Sequence, residues 1–563
     1  MPCLGLATVV AWLFSGVSTS AADPVLNHLH PVAGQQGTTV SITATGKWDA
    51  WPPKVWVDSP GVIFKPGKGA GKFDVEIAKD AAPGPHLVRI FNASGASAPR
   101  FFIVAREPQT LETEPNDDFH SPQKIAALPA TISGKLDKAG DVDSFAVTLK
   151  RGQVLVAWME AYVLASTCDG MLRITDTDGH ALVFNHDGRT LDPFLAWTAP
   201  HDGTFVVQTM GFAYPGTANV AFTGGEGCVY RLHLTAGPFV RHTLPLAIPR
   251  GKKTPVEFIG WNLASPRGEI DGSHFPEHAA TAEISLPGVL AELPVPVSDI
   301  AEILEKEPND TVANAQAVEI PAGITGRIQS AGDEDRFIFN AVKGRAYELK
   351  VTAARIGSPL DAWVKIENKD GKQIATNDDA NGSRDAVLTW TAPADGAFIA
   401  AIGDVAHHGG DDHICRLAIT EARPSVAVTV AVHSLSVQPG KTAEAKVNVK
   451  RGSGFKTKLQ LTAKNLPDGV SAANVNVPDK DGDVTLKLTA AADAKPASQP
   501  FTIVLRETES GTEHIARFFM TTGGENNGVP QGYGELVIGS TEQLWLTVPD
   551  AQAKAEPKAA AKK

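Results

Sequence analysis

Short segments of alternating apolar and polar residues recur along the whole chain. Residues 39–42, 446–449 and 485–488 are examples, and strict alternation over such lengths predicts half-buried β-strands. The segments are separated by clusters of Gly, Pro, Asn and Asp, and the chain contains 52 Gly and 39 Pro. These residue types form turns, and long apolar stripes with a helical period are missing. The pattern predicts an all-β protein built as a tandem array of β-sandwich domains.

A sequence repeat organises most of the chain, because five markers occur twice in the same order with nearly constant spacing. A weaker repeat, P-x5-G-x8-G, precedes each copy and begins at Pro31 and Pro245. The repeating unit is therefore a small domain followed by a larger one. The five markers are E-x-E-P-N-D at 112–117 and 305–310, A-G-D-x-D-x-F at 139–145 and 331–337, D-G at 178–179 and 370–371, D-x-x-L-x-W-T-A-P at 192–200 and 385–393, and G-G-x5-R-L at 224–232 and 409–417.

The repeat and the turn clusters predict five modules between a leader and a tail. Asp550 onward is rich in Ala, Lys and Glu, a composition typical of a disordered tail. The predicted segments are a signal peptide at 1–22, a first module at 23–106, a second at 107–238, a third at 239–301, a fourth at 302–424, a fifth at 425–548, and an Ala/Lys tail at 549–563.

The net charge of the chain and its N-terminal residues indicate which partners and which cellular location to expect. A formal net charge of -12 and a pI near 5.8 argue against a nucleic-acid partner, which requires a basic face. Residues 3–17 are apolar and uncharged and are followed by small residues before Asp23, as in an export signal. No later stretch has the apolar length of a membrane span. We expect an exported protein that is periplasmic, cell-surface or secreted, with no transmembrane segment in the mature chain.

Three cysteines remain after the predicted leader, namely Cys168, Cys228 and Cys415. This number is too small for a disulfide scaffold, so folding depends on hydrophobic cores. Cys168 and Cys228 fall in one module. They either pair or stay buried as free thiols, and both alternatives are open at this stage.

Each larger module contains a cluster of hard oxygen ligands from two neighbouring motifs. Calcium takes six to eight such oxygens, and alternate residues of an extended segment point the same way, so their carboxylates can converge on one ion. The alternative is a set of solvated turn residues. Duplication of the whole pattern favours calcium. The candidate ligands are Glu112, Glu114, Asn116, Asp117, Asp141 and Asp143 in the first copy and Glu305, Glu307, Asn309, Asp310, Asp333 and Asp335 in the second.

The ordered motifs of the larger modules resemble the bacterial pre-peptidase C-terminal (PPC) domain, whose members include the collagen-binding modules of clostridial collagenases. The resemblance implies a jelly-roll-like β-sandwich, often appended to secreted peptidases, with a calcium site at the N-terminal linker in some members. The twelve residues named above match its ligand positions. The first and third modules resemble immunoglobulin-like IPT/TIG repeats, and the fifth resembles another bacterial Ig-like domain, with L-P-D-G-V at 466–470.

Other acidic and histidine groups are weaker candidates. Turn chemistry explains the set Asp361, Asn377, Asp378, Asp379 and Asp385, because the first copy departs from it. H-x-x-E-H at 274–278 would need a helix to hold zinc, and Pro276 lies inside it. The histidines at 407, 408 and 413 align with a loop of the first copy that contains none. No nucleophile with its base can be named.

Tryptophans are concentrated in the first module, where Trp48, Trp51 and Trp56 lie within nine residues. Exposed indoles stack on sugar rings or anchor a protein partner, whereas buried ones are core or inter-domain contacts. We favour packing.

These observations predict a non-catalytic binding or adhesion protein with calcium-stabilised modules. Its partner would be an extracellular polymer, either a polysaccharide or a protein matrix, or an exported protein such as a peptidase. The alternatives are an accessory or propeptide-like partner of a secreted peptidase and, least favoured, an unrecognised metal-dependent hydrolase.

Overall fold

The structure, a computed structural model, describes most of the chain between Asp23 and Asp550. The predicted signal peptide and residues 551–563 of the predicted tail lie outside the described residues. The described ranges are 23–48, 50–188, 191–213, 221–277, 279–290, 292–380, 383–521 and 537–550.

Regular structure within these ranges consists of β-strands and short 3-10 turns. The strands form pairs of facing sheets along the chain, which confirms the prediction of tandem β-sandwiches. No helix in the described part of the chain has the length and apolar character needed to cross a membrane. The 3-10 turns are Tyr162–Leu164, Gly272–His274, Val312–Asn314 and Ala354–Ile356.

Residues of the first module form two four-stranded sheets, in the orders β1-β3-β6-β5 and β2-β8-β7-β4. Phe73 of the first sheet and Phe102 of the second are both nearly inaccessible and belong to one apolar core, and the Phe64 ring lies 5.7 Å from Phe73 and 5.5 Å from Phe102. The strands are β1 (Val25–His30), β2 (Ala33–Gln35), β3 (Thr39–Lys47), β4 (Lys54–Val57), β5 (Val62–Pro66), β6 (Lys72–Ile77), β7 (Gly84–Phe91) and β8 (Arg100–Ala105).

The second module contains two five-stranded sheets, β10-β12-β17-β14-β15 and β16-β13-β18-β11-β9. Its strands are β9 (Gln109–Leu111), β10 (Gln123–Lys124), β11 (Ala130–Lys135), β12 (Asp143–Leu149), β13 (Val154–Glu160), β14 (Cys168–Thr175), β15 (Ala181–Asn185), β16 (Phe194–Thr198), β17 (Gly203–Ala213) and β18 (Val229–Thr235).

The third module is smaller, with three-stranded sheets ordered β19-β21-β22 and β20-β24-β23. Trp158 and Phe194 of the second module pack with Phe239 of the third, so an apolar contact joins the two modules. The strands are β19 (Phe239–Leu244), β20 (Ile248–Pro249), β21 (Lys253–Trp261), β22 (Arg267–Asp271), β23 (Thr281–Ile284) and β24 (Leu293–Ser298).

The fourth module repeats the fold of the second strand for strand. Its sheets are ordered β26-β28-β33-β30-β31 and β25-β27-β34-β29-β32, the same order as in the second module when β9 is matched to β25 and each later strand to its counterpart. The strands are β25 (Ala301–Leu304), β26 (Gln316–Ala317), β27 (Ala322–Arg327), β28 (Glu334–Ala341), β29 (Ala346–Thr352), β30 (Ala362–Glu367), β31 (Gln373–Asn377), β32 (Val387–Thr391), β33 (Gly396–Asp404) and β34 (Ile414–Glu421).

The fifth module has larger sheets, ordered β39-β41-β37-β35-β44-β45 and β36-β46-β42-β38-β40, with β43 beside β42. Its alternating segments behave as predicted: Ala445 faces Leu486 and Val447 faces Val484 across β37 and β41, and all four side chains are buried. The strands are β35 (Ser425–Val430), β36 (Ser434–Ser436), β37 (Thr442–Gly452), β38 (Leu459–Lys464), β39 (Val470–Ala472), β40 (Val475–Val477), β41 (Gly482–Ala490), β42 (Ala497–Glu507), β43 (Glu513–Ile515), β44 (Arg517–Thr521), β45 (Val537–Thr541) and β46 (Leu544–Val548).

The fifth module also contacts the first. Trp545 is 1% exposed and its ring lies 5.9 Å from that of Trp56 and 4.8 Å from that of Phe91. Buried Arg89 donates to the Ser97 carbonyl at 2.9 Å and to His433 Nδ1 at 3.1 Å. Burial, followed by the Arg89 charge, lowers the pKa of His433 to about 4, so His433 is neutral there and accepts the bond.

The other two tryptophans of the first module pack within it. Trp48 and Trp51 have ring centroids 5.4 Å apart, and Trp51 lies 4.9 Å from Phe73. All three indoles of the cluster therefore take part in packing, two inside the module and one against the fifth.

Candidate metal centres

Two connections of each larger module bring its acidic motifs together. Strand β9 pairs in parallel with β11 in one sheet, and β10 pairs in parallel with β12 in the other. The segment between β9 and β10 carries E-x-E-P-N-D and crosses between the sheets, beside the β11–β12 connection that carries G-D-x-D. The fourth module repeats this arrangement with β25, β26, β27 and β28.

The first centre is the set Glu112, Glu114, Asn116, Asp117, Asp141 and Asp143. Carboxylate oxygens of four of these residues, Glu114, Asp117, Asp141 and Asp143, all lie within 4.8 Å of one another. Asn116 joins the group through its side-chain nitrogen, which donates to Glu112 Oε1 at 3.5 Å. Its backbone oxygen accepts from the Ser144 amide at 3.1 Å.

The second centre is the set Glu305, Glu307, Asn309, Asp310, Asp333 and Asp335. Two overlapping triads, Glu305 with Glu307 and Asp335, and Glu307 with Asp310 and Asp333, each place their oxygens within 4.8 Å. Asn309 Nδ2 donates to Glu305 Oε1 at 3.1 Å. The structure thus brings all twelve predicted residues into two centres. Their binding of metal stays a prediction.

Backbone amides satisfy one oxygen of several carboxylates in the same way in both centres. The Lys135 amide donates to Glu112 Oε2 at 2.7 Å, and the Arg327 amide donates to Glu305 Oε2 at 2.7 Å. Each Asn amide likewise donates to the second Glu of its motif, at 2.9 Å. These bonds orient the carboxylates, and the other oxygen of Glu112 and of Glu305 accepts from the asparagine side chain of the same centre.

A glycine at the same place in each copy makes room for the first glutamate. A Cβ on Gly134 of β11 would contact the Glu112 carboxylate and the Tyr230 ring, and one on Gly326 of β27 would overlap the Glu305 carboxylate. The repeated glycine therefore belongs to the construction of the centre.

Several oxygens of the centres are buried and have no hydrogen-bond partner among the described residues. Such atoms are costly unless a cation or water compensates them. Both carboxylate oxygens of Asp335 lack a hydrogen-bond partner among the described residues, and the residue is only 1% exposed. The full set is Asn116 Oδ1, Asp141 Oδ1 and Asp143 Oδ1 in the first centre and Asn309 Oδ1, Asp335 Oδ1 and Asp335 Oδ2 in the second.

Burial perturbs the acidity of these carboxylates in the direction expected for uncompensated charge. Desolvation raises the pKa of Asp143 to about 10 and that of Asp335 to about 11. It also raises the pKa of Glu112 to about 7. Without a cation, each centre therefore retains protons at neutral pH that free carboxylic acids would have lost.

The two centres differ in what already compensates their charge. In the first, Lys138 Nζ lies 2.6 Å from Asp117 Oδ2 and 3.7 Å from Asp141 Oδ1, and its hydrogen bond lowers the pKa of Asp117. Tyr230 also donates its hydroxyl to Asp143 Oδ2 at 2.6 Å. The aligned positions of the second centre are Ser330 and Cys415, which supply neither a cation nor that hydroxyl.

Sequence reasoning did not single out Lys138 or Tyr230. The signal was present, because Lys138 directly precedes the marker at 139–145 and Tyr230 lies inside the marker at 224–232, each at a position where the two copies differ. Comparison of the copies for differences, as well as identities, would have found them.

One member of the second acidic group, Asp385, has a structural role. Asp385 Oδ1 accepts from the amides of Ala353 and Ala354 at 2.8 and 2.7 Å. Asp192, its counterpart, accepts from the amides of Ala161 and Tyr162 at 2.9 and 2.8 Å. This aspartate of the D-x-x-L-x-W-T-A-P marker thus holds the 3-10 turn that follows β13 or β29.

The histidine motifs lie in turns. His274 ends a 3-10 turn, after which Phe275 is extended, while His278 lies outside the described residues. His413 Nδ1 pairs with Asp412 Oδ1 at 3.0 Å. A group that the sequence did not suggest, Asp169 with His186 and Asp187, also brings its ligand atoms within 4.8 Å, but its side chains remain partly exposed.

Comparison with known proteins gives a limited set of relatives. No protein-family model matches the chain. A probable subtilase-type serine protease of Deinococcus radiodurans is 34% identical over 130 residues, which are 20% of this chain and 17% of the protease. The chain thus matches only a small part of that relative.

Solved structures align at low identity. Fibronectin(III)-like modules of Clostridium thermocellum CbhA align at 9% identity with a TM-score of 0.12, covering 37% of this chain and 89% of the other. The eight N-terminal Ig domains of Down Syndrome Cell Adhesion Molecule align at 11% identity with a TM-score of 0.12, covering 88% and 72%. Escherichia coli alpha-2-macroglobulin aligns at 10% with a TM-score of 0.14, covering 92% and 52%. TM-scores of this size do not establish a shared arrangement of the whole chain.

Proposed function

We propose that the chain is an exported, non-catalytic binding protein whose second and fourth modules are PPC-like domains that bind calcium at the two centres. The observation that supports the calcium part most directly is the set of buried, unpartnered oxygens, above all the two carboxylate oxygens of Asp335. Leaving such groups buried without compensation is unfavourable by several kcal/mol in order of magnitude, and a divalent cation would offset that cost.

The donor set fits a hard cation. Every side chain of the two centres offers oxygen, and the described clusters there contain neither a histidine nor a cysteine ligand. Carboxylate and amide oxygens select calcium or magnesium over zinc or copper. The ion would be held by Glu114, Asp117, Asp141 and Asp143 in the first centre, and by Glu305, Glu307 and Asp335 or by Glu307, Asp310 and Asp333 in the second. Bound calcium supplies charge neutralisation and crosslinks the two motifs.

The position of each centre gives the ion a structural role. Glu112 follows directly on β9, and only three residues separate β9 from the last strand of the first module. Glu305 follows directly on β25, and two residues separate β25 from the last strand of the third. Calcium would therefore order the start of each larger module and stiffen its junction with the preceding one.

The partner of such an array would be an extracellular polymer or another exported protein. The partial similarity to a subtilase-type protease favours, as the second candidate, an accessory role beside a secreted peptidase. The aligned length of 130 residues is close to that of one larger module. A link between this chain and the protease would therefore consist of one shared module.

Thermal unfolding in chelator and across a calcium series tests the calcium proposal. A ligand that binds only the folded state raises the melting temperature by mass action, so the wild type should gain stability with calcium. The double variant Asp143→Asn, Asp335→Asn should lose the response. Asp202→Asn with Asp395→Asn is the matched control, because both residues are exposed and belong to none of the clustered acidic groups of the described residues. If calcium left the melting temperature of the wild type unchanged, the calcium proposal would be wrong and the acidic motifs would be ordinary turn residues.

The partner proposal needs a separate measurement. Sedimentation with insoluble peptidoglycan, cellulose and collagen, in calcium and in chelator, reports polymer binding. Hydrolysis of a peptide substrate by a secreted subtilase, with and without the chain, reports the accessory role. Retention on a polymer without an effect on the protease supports the first candidate, and the reverse result supports the second.

A further inference from the structure

The two cysteine sulfurs of the second module come from opposite sheets. Cys168 opens β14 in one sheet, and Cys228 directly precedes β18 in the other. Their exposures are 0% and 2%, and both belong to the hydrophobic core of that module. Neither residue takes part in the calcium centres, so the proposed function leaves this pair without a role.

Hydrogen bonds hold the two backbone segments side by side. The Thr167 amide donates to the Gly227 carbonyl at 2.9 Å, and Ser166 Oγ donates to the same carbonyl at 3.1 Å. Residues 166–167 and 227, the immediate neighbours of the two cysteines, are thus in direct contact. This contact fixes the approach of Cys168 to Cys228.

Both cysteines are buried free thiols in this structure, and they interact with each other and with neighbouring hydroxyls. Ser166 Oγ lies 3.3 Å from Cys168 Sγ, and Thr167 Oγ1 lies 3.4 Å from Cys228 Sγ. A hydrogen bond from Cys168 lowers the pKa of Cys228 to about 7, and the same bond raises the pKa of Cys168. Cys228 is thus the member of the pair that more readily forms the nucleophilic thiolate.

We infer that Cys168 and Cys228 form a disulfide that crosslinks the two sheets of the second module. In the first step, the thiolate of one of the two cysteines attacks the disulfide of an oxidised dithiol catalyst or of oxidised glutathione and displaces one of its thiols. The other cysteine, after losing its proton, then attacks the sulfur of the first in the mixed disulfide and releases the second thiol. Two cysteine thiols lose two protons and two electrons, and one disulfide of the oxidant becomes two thiols. The exchange takes place during folding, before the core covers both sulfurs.

The crosslink would stabilise the backbone beside the first centre. The Leu136 amide donates to the Cys228 carbonyl at 3.0 Å, and the Gly225 amide donates to the Leu136 carbonyl at 2.7 Å. Gly224 packs so closely on the Lys138 backbone that a Cβ would not fit. The segment that ends at Cys228 therefore supports the loop that carries Lys138 and Asp141.

The fourth module is an internal control, because it has the same fold without the pair. The residues aligned with Cys168 and Cys228 are Leu360 and His413. Its single cysteine, Cys415, is buried and occupies the position of Tyr230. A disulfide effect should therefore appear in the second module and be absent from the fourth.

Alkylation of the full-length protein tests the inference without any substitution. The protein is refolded in a glutathione redox buffer, denatured, alkylated with iodoacetamide, and analysed by peptide mass spectrometry. We expect a linked peptide pair that contains Cys168 and Cys228, while Cys415 is alkylated. Full alkylation of Cys168 and Cys228 after oxidative refolding would overturn the inference, whatever the outcome of the calcium experiments.

The melting temperature gives a second measurement. The disulfide would close the loop between Cys168 and Cys228 and so restrict the unfolded chain. Because reduction removes this restriction, it should lower the melting temperature of the second module by roughly 10 °C. The double variant Cys168→Ala, Cys228→Ala should melt at the temperature of the reduced wild type, both with and without reductant. Cys415→Ala should keep the wild-type dependence of the melting temperature on reductant. A wild-type melt that is identical with and without reductant would contradict a stabilising crosslink.

Discussion

The first and second centres share a backbone and differ in how their charge is compensated. Both use the same motifs, the same amide bonds to the first glutamate, and a glycine that leaves space for it. The first centre contains the Lys138 ammonium and the Tyr230 hydroxyl, each bonded to a carboxylate at 2.6 Å. The second has Ser330 and Cys415 at those positions and keeps an Asp335 whose oxygens lack partners in the described chain.

This difference shows that a repeated motif does not guarantee a repeated affinity. A cation from outside must compete with Lys138 as well as with bound protons at the first centre, whereas at the second it competes with bound protons without a lysine at the aligned position. We therefore expect the second centre to bind calcium more tightly than the first. Four experiments test this ranking.

The pH dependence in chelator should be the largest effect. The pKa values of Asp335 and Asp143, about 11 and about 10, lie far above the value near 4 of an unfolded aspartate. Between these limits the folded state holds protons that the unfolded state has lost, so stability is highest at low pH and falls as pH rises. The slope is at most about 1.4 kcal/mol per pH unit for each group.

Calorimetry from pH 5 to pH 9 measures this slope. Asp335→Asn should reduce it in chelator, and saturating calcium should flatten it, because the ion replaces the protons. Equal slopes in wild type, in the variant and in calcium would contradict the assignment of buried, uncompensated carboxylates.

Ser330→Lys introduces into the second centre the cation that the first already has. A positive charge there should weaken calcium binding by about tenfold, because Ser330 is exposed and the introduced ammonium is screened by solvent. Isothermal titration calorimetry in the Asp143→Asn background isolates the second centre. Ser330→Gln is the control of similar length without charge, and a loss as large as that caused by Lys would show that size, and not charge, is responsible.

Lys138→Ser makes the opposite change at the first centre. Removal of the ammonium should strengthen calcium binding there by about tenfold at most, because the exposed lysine is screened by solvent. The titration is made in the Asp335→Asn background. Lys150→Ser, which removes a lysine that pairs with exposed Asp202, is the matched control. Unchanged or weaker binding in Lys138→Ser would remove Lys138 from the explanation.

Tyr230→Phe should have the smallest effect of the four. Loss of the hydroxyl leaves Asp143 Oδ2 without its donor and should cost about 1–2 kcal/mol of stability in chelator, and less in calcium. Hydrogen exchange of the amides in β12 and β28, followed by mass spectrometry, reports the two modules separately. A change in β28 equal to that in β12 would mean that the substitution acts globally.

Much of the fold follows from local pattern. Alternation predicts strands because side chains of a strand point to opposite faces, and β37 with β41 shows the predicted buried face. The repeat predicts that residues 107–238 and 302–424 share a fold, and the strand orders agree. Two hydrogen-bond partners of Arg89, His433 Nδ1 and the Gln543 carbonyl, lie in the fifth module, more than 300 residues away, and no local pattern predicts them.

The sequence by itself determined the strand pattern, the duplicated modules and the identity of the twelve acidic and amide residues, since each of these is encoded in short, repeated stretches. Only the tertiary structure decided which oxygens are buried and unpartnered, that Lys138 and Tyr230 compensate one centre alone, and that Cys168 meets Cys228 across the sandwich. The physical reason is that burial and charge compensation depend on side chains from strands far apart in the chain, which come together only when both sheets have packed.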